Sequence, residues 1–161
     1  VLYICKDIQE RLTSHGKTLC TAESCTGGRI AALLTSVSGS SEYFRGGIVS
    51  YQTEIKSSVL KVPRSIIERH GVVSAETADA MRRCACKLFN ADYAISITGY
   101  AGPTGGTADD PVGTVYVSVG STDECITRRF VSNALTRTEI QDDVANLAIR
   151  LFLEYIETHN Q

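Results

Sequence analysis

Thr18 to Thr35, reading TLCTAESCTGGRIAALLT, is the stretch that decides the fold. Thr18-Leu19-Cys20-Thr21-Ala22 is short, apolar and partly β-branched, which suits a buried strand. Glu23-Ser24-Cys25-Thr26-Gly27-Gly28 then packs small polar side chains and two glycines into a turn. From Arg29 onward, Ile30, Leu33, Leu34 and Val37 recur at helical spacing. Strand, turn and helix place Ser24 at the carboxyl end of a strand, with the free amides of a helix N-terminus just beyond it. Nucleophile elbows share this geometry, but no G-x-S-x-G is present. No Gly-Lys-Ser/Thr follows the glycines either, so this is not a phosphate-binding P-loop. A connecting turn without chemistry fits the local pattern equally well.

Working outward, residues 2–13 carry Leu2, Ile4, Cys5, Ile8 and Leu12, an amphipathic helix ended by Ser14-His15-Gly16. The second half of Tyr43–Tyr51 alternates as a strand should, and Gln52–Val62 reads as a helix. Pro63 opens a short helix through Ile66 and Ile67 that closes near Gly71. Ser74 caps a helix over residues 75–90, and DYAISIT (92–98) is the strongest central strand. Residues 112–120 and 125–131 form a hairpin, and Thr138-x-x-Gln141 is a capping box for a long final helix. Helices alternating with strands, plus one hairpin, imply one α/β domain over residues 1–161. Its architecture is a three-layer α/β/α sandwich around a mixed sheet of about five strands.

Composition narrows the function. The 161 residues carry 16 Lys+Arg against 18 Asp+Glu, a dispersed net charge of −2. That balance offers no polybasic footprint for nucleic acid or an anionic membrane. No apolar run reaches spanning length and the amino end lacks the form of a secretion signal, so a cytoplasmic setting is expected. The six cysteines include no C-x-x-C pair, and His15, His70 and His159 are far apart in sequence. Reduced thiols packed as small apolar residues are expected, rather than a zinc site.

Two glycine-bearing loops follow strands, residues 23–28 and 99–106, and ligands in open α/β sheets sit beyond such strand ends. Glu23, Cys25, Thr26, Gly27 and Gly28 are substrate-binding candidates in the first loop. Gly99, Tyr100, Ala101, Gly102, Gly105 and Gly106 are candidates in the second. Glycines there let backbone amides approach a bound anion. Tyr51 closes a strand and Lys56 follows on the next helix, where a lysine reaches back over the same edge; alone, it reads as a solvated charge.

TAESCTGG (21–28), GSSEYFRGGIVSYQTEIK (39–56), HGVVSAETA (70–78), ADYAISITGYAGPTGG (91–106) and PVGTVYVSV (111–119) occur in this order. In order and spacing they closely resemble the CinA C-terminal domain family. The resemblance implies the three-layer sandwich. It also implies an activity found in the family, metal-free and cofactor-free hydrolysis of nicotinamide mononucleotide to nicotinate mononucleotide and ammonia. It assigns the nucleophile to Ser24 and its activation to Tyr51 and Lys56. The expected partner is a small nucleotide, and the sequence leaves homo-oligomerisation open. The chain departs from the family pattern at Thr53, where Asn is usual, and at Tyr100, where Ile or Val is usual. It also lacks the Gly-Asp/Asn-Arg segment after the last strand. Arg137 is the candidate substitute for its anion contact. Those departures keep two other readings open: an amidase for another small amide, and a non-catalytic nucleotide- or partner-binding relative.

Overall fold

The computed structural model describes residues 1–159. Five strands, β1 (Leu19–Glu23), β2 (Phe44–Val49), β3 (Tyr93–Gly99), β4 (Thr114–Gly120) and β5 (Cys125–Val131), form one sheet in the order β2-β1-β3-β4-β5. β1 pairs in parallel with β2 on one side and β3 on the other, while β3-β4 and β4-β5 are antiparallel. Six helices cover the two faces: α1 (Leu2–Ser14), α2 (Arg29–Thr35), α3 (Thr53–Ser58), α4 (Arg64–His70), α5 (Ala75–Phe89) and α6 (Arg137–His159). This is the expected three-layer sandwich with a mixed five-stranded sheet.

The period-two alternation of the strands sorts the two faces. Leu19, Ile95, Ile97, Val115, Val117 and Val119 point toward α1, α2 and α6, where they meet Ile8, Leu12, Leu34, Val144 and Phe152. The opposite face carries Cys20, Ala22 and Ala94 and packs against Ala80, Met81, Ala85 and Cys86 of α5. Small residues on both sides let α5 lie close to the sheet. Ser96 Oγ, on β3, donates to the Ala78 carbonyl of α5 at 2.6 Å. The buried Arg82 guanidinium donates to Ser118 Oγ at 2.6 Å and to the Ser121 carbonyl at 2.9 Å, and Asp79 Oδ1 at 3.2 Å supplies its counter-charge.

Several boundaries differ from the sequence reading, and three of them bear on the site. α3 ends at Ser58 rather than Val62, because the amides of Val59 and Leu60 both fall on the Ile55 carbonyl and Lys61 turns to φ +72°. Residues 112 and 113 lie outside β4, which starts after a turn closed by Thr114 N–H on the Pro111 carbonyl at 3.0 Å. The cap of α6 is Thr136 rather than Thr138: its hydroxyl oxygen accepts from Glu139 N–H at 3.3 Å and its O–H donates to Glu139 Oε1 at 2.9 Å. Gln141 lies within the helix, where it is buried and serves another purpose described below.

The topology positions a site. Consecutive strands β2 and β3 leave β1 on opposite sides, which makes the carboxyl end of β1 the switch point of the sheet. The ends of β2 and β3, the start of β4 and the end of β5 all lie on that same edge. Midway along their pairing β1 and β2 approach closely: a Cβ on Gly47 would stand 2.1 Å from Thr21 Oγ1. Gly47→Ala should therefore cost about 1–3 kcal/mol in urea unfolding through overpacking, and an unchanged midpoint would refute the contact. The six cysteines are all unpaired. Thiol titration should find six in unfolded protein, with the exposed Cys125 reacting first in native protein; four or fewer would contradict the structure.

Candidate active site

Ser24 is the first residue after β1, and Ser50 and Tyr51 are the first after its neighbour β2. The β1-β2 ladder continues one step past β2, because Ser50 N–H and Ser50 Oγ both donate to the Glu23 carbonyl, at 2.8 and 3.2 Å. That clasp aligns the two strand ends. α3 begins at Thr53, so Lys56 falls one helical turn on, and its side chain folds back into the crevice between them. Lys56 is only 1% exposed. Its Nζ lies 2.8 Å from Ser24 Oγ, 2.6 Å from the Ser50 carbonyl and 3.4 Å from the Tyr51 carbonyl.

Burial disfavours the ammonium form and pulls the Lys56 pKa from 10.5 down to about 8. A neutral amine keeps two hydrogens and one lone pair. The two carbonyls can take the hydrogens, which leaves the lone pair facing the Ser24 hydroxyl. This is the arrangement a base needs to draw a proton from a serine. Among the described residues no histidine bonds to Ser24.

The turn after Ser24 is held from below. Glu23 is 1% exposed, and its carboxylate accepts from Thr26 Oγ1 at 2.6 Å and from the amides of Ile30 and Ala31 at 3.0 Å each. An anion at the N-terminus of α2 is favourably placed, and it satisfies donors the helix cannot. Gln141 Nε2 donates to the Cys25 carbonyl at 2.9 Å and ties the turn to α6. Gly27 and Gly28 take φ +60° and +101°, which brings the chain into the helix within two residues. The amides of Cys25 and Thr26 find no acceptor among the described residues. The Cys25 thiol is almost fully buried, and burial pushes it up to about 12, which makes it a poor nucleophile near neutrality.

A cleft of about 240 Å³ opens above this cluster, lined by Ser24, Cys25, Tyr51, Lys56, Gly99, Tyr100, Ala101, Gly102 and Arg137 among the sequence-stated candidates. Glu23, Thr26, Gly27, Gly28, Gly105 and Gly106 do not line it. Glu23 and Thr26 spend their polar atoms on each other and on the turn. Gly105 lies beside the Tyr100 ring, and Gly106 lies against the backbone of residues 110–112. Thr53, Val72, Val73, Thr98 and Thr104 complete the wall. Of these, Thr98 Oγ1 donates to the Val72 carbonyl at 2.9 Å, fastening the 71–74 segment over the end of β3. The sequence signal for Val72 and Val73 lies in HGVVSAETA, where apolar residues precede a helix cap without any apparent strand.

Arg137 spans the mouth of the cleft. Its guanidinium donates to the Tyr51 hydroxyl and to the Gly102 carbonyl, each at 2.5 Å. Among the described residues no carboxylate pairs with it. The Tyr51 side chain is half exposed, and its hydroxyl oxygen is taken by Arg137 rather than by Ser24 or Lys56; only its backbone carbonyl reaches Lys56. No cluster of three or more potential metal ligands occurs among the described residues, and no helix there is long and apolar enough to cross a membrane.

Comparisons with known proteins bear on the family and the fold. Residues 3–156 match the model of the CinA C-terminal domain. A CinA-like protein of Geobacter sp. (strain M21) is 50% identical over 119 residues, covering 74% of this chain and 29% of the relative. A putative competence-damage inducible protein of Desulforudis audaxviator is 40% identical over 151 residues, covering 94% and 36%. The chain thus spans about a third of the length of the curated relatives it matches. The crystal structure of competence damage-inducible protein A from Klebsiella pneumoniae superposes with a TM-score of 0.92 at 29% identity, covering 98% of both chains. That of CihA from Agrobacterium tumefaciens superposes at 0.90 with 34% identity, covering 99% of this chain and 95% of the other. Because the family model matches nearly the whole chain and the solved structures share its fold, the chain belongs to the CinA C-terminal domain family.

Proposed function

We propose that the chain hydrolyses the carboxamide of nicotinamide mononucleotide, releasing ammonia and nicotinate mononucleotide, with Ser24 as nucleophile and Lys56 as base. The observation that carries this reading is the buried Lys56 amine 2.8 Å from Ser24 Oγ at the floor of the cleft. Neutral Lys56 takes the Ser24 proton as Oγ attacks the amide carbon. The oxyanion of the tetrahedral intermediate is met by the free amides of Cys25 and Thr26, a contribution of about 3–4 kcal/mol per donor. Lys56, now an ammonium, passes its proton to the departing nitrogen as the C–N bond breaks. A water then attacks the acyl-serine ester with Lys56 again as base, and proton return regenerates Ser24.

The remaining groups serve binding. Arg137 supplies an unneutralised positive charge at the mouth of the cleft, suited to the nucleotide phosphate. Its N–H groups occupy the Tyr51 oxygen, which leaves the phenolic hydrogen free to donate to substrate. Tyr100 offers a ring for the pyridine or ribose. Substrate held in this way brings the amide to attack distance, which is worth as much as activation of the nucleophile.

Purified protein should release ammonia from nicotinamide mononucleotide at a rate unaffected by EDTA. Ser24→Ala and Lys56→Met should each lower kcat by about 10³-fold or more, while Cys25→Ala keeps most of the rate. No ammonia at millimolar substrate, or full rate in Ser24→Ala, overturns the proposal.

Proton linkage gives a second measurement. The base must be neutral, so the rate should rise with pH and reach half its plateau near the Lys56 pKa of about 8. In the unfolded chain the same lysine titrates near 10.5, so between about 8 and 10.5 the unfolded state binds one more proton. Stability should therefore rise with pH across that window in wild type, and Lys56→Met should lose the rise. Identical pH–stability curves for the two proteins would contradict a depressed Lys56.

A further inference from the structure

A second cavity, larger than the catalytic cleft, lies elsewhere on the molecule. This groove, of about 470 Å³, lies between α4, α5 and the turn of residues 59–63. Its floor is apolar, built from Leu60, Pro63, Ile66, Ala80 and Leu88. The ionisable residues around it are Lys61, Arg83 and Lys87, joined by the thiol of Cys84, and no carboxylate lines it. Arg83 and Lys87 stand one turn apart on α5 and make no ion pair among the described residues. In a chain of net charge −2, three cations around an apolar hollow with no counter-charge form a localised positive field. Leu88 remains 48% exposed there, a large apolar side chain without a partner.

A second feature marks the same place. Lys61 holds φ +72°, a backbone region that non-glycine residues seldom adopt. Its carbonyl accepts from Cys84 Sγ at 3.4 Å, and its own ammonium bonds the Ser58 carbonyl at 2.8 Å. The bend at Lys61 carries the chain away from α3 and shapes one wall of the groove. Strained backbone of this kind collects at binding sites, where the surroundings hold it.

We propose that this groove is a binding site for a small amphiphilic carboxylate, an apolar chain or ring ending in one anionic group. The cavity volume falls within the range of small-ligand pockets. Its lining asks for an apolar body on Leu60, Ile66 and Leu88, with the carboxylate held by Arg83 and Lys87.

Decanoate below its micellar concentration is a suitable probe, followed by amide chemical shifts in isotope-labelled protein. Decanoate should saturate one site and perturb residues 60–66 and 80–88, leaving Ser24, Tyr100 and Arg137 undisturbed. Acetate, which lacks the tail, and decyltrimethylammonium, which reverses the charge, should each bind at least about tenfold more weakly. The double variant Arg83→Glu, Lys87→Glu should weaken decanoate at least about tenfold with an unchanged melting temperature. Equal binding of the cationic detergent, shifts centred on the catalytic cleft, or unaltered affinity in the double variant would each overturn the proposal. So would an acidic amphipathic peptide that occupies the groove when decanoate does not. Because the readout is binding, a chain without amidase activity would leave this test intact.

Discussion

The short contact between Lys56 Nζ and Ser24 Oγ, at 2.8 Å beneath a fully buried amine, is what the surrounding structure is arranged to permit. An amine out of water needs acceptors, and the chain supplies them from the two residues that follow β2. Those carbonyls stand in the right place only because Ser50 is fastened to Glu23, so the sheet register fixes the site through one extra rung. α3 has six residues, enough to bring Lys56 round one turn and no more. A longer α3, as the sequence periodicity suggests, would carry Leu60 and Val62 away from the α5 face, where both are now buried.

Glu23 shows why an acidic residue beside a nucleophile need not touch substrate. Its main chain anchors the partner strand, while its side chain anchors the partner helix. A buried carboxylate bonded to two amides and a hydroxyl, and absent from the cleft wall, is turned to the scaffold rather than to a ligand. What it provides is a rigid turn, and rigidity is what a pre-set pair of amides requires, because donors that must reorganise during the reaction lose much of their value. The clamp from Gln141 acts on the opposite side of the same turn, and it links the elbow to the helix that also bears Arg137.

The layers, the strands and the order of elements were legible in the sequence because each rests on local periodicity, which burial on two faces enforces. The strand-turn-helix at residues 19–35 is the clearest case. The end of α3 was not legible: Ile55, Val59 and Leu60 keep a helical spacing, yet the latter two serve a turn whose direction is set by contacts with α5. The cap of α6 was misplaced for a related reason, since Thr136-x-x-Glu139 and Thr138-x-x-Gln141 are equivalent as patterns and only burial of Gln141 separates them. In the cleft, Ser24 and the start of the 99–106 loop are strand-end residues, which topology places directly, and Lys56 follows one turn into the helix after β2. Gly105, Gly106, Glu23 and Thr26 are loop polar or glycine residues of the same appearance, and their orientation is settled by packing that no spacing rule encodes.

That division also separates the chemistry from its specificity. Ser24 and Lys56 belong to the β1-β2-α3 unit, whose internal hydrogen bonds do not involve the 131–137 link. Arg137 belongs to that link, and the earlier start of α6 places it on the first helical turn, where its side chain reaches across to Tyr51 and Gly102. Its position therefore depends on where the helix is capped, a local property free to drift without disturbing the nucleophile. Near pH 8 Lys56 is half neutral, so the positive potential of the cleft rests chiefly on Arg137 and on the N-terminus of α6 beneath it. A change in the link between β5 and α6 should then alter which anion enters while leaving intact the pair that would act on it, and the substrate range would be set at α6.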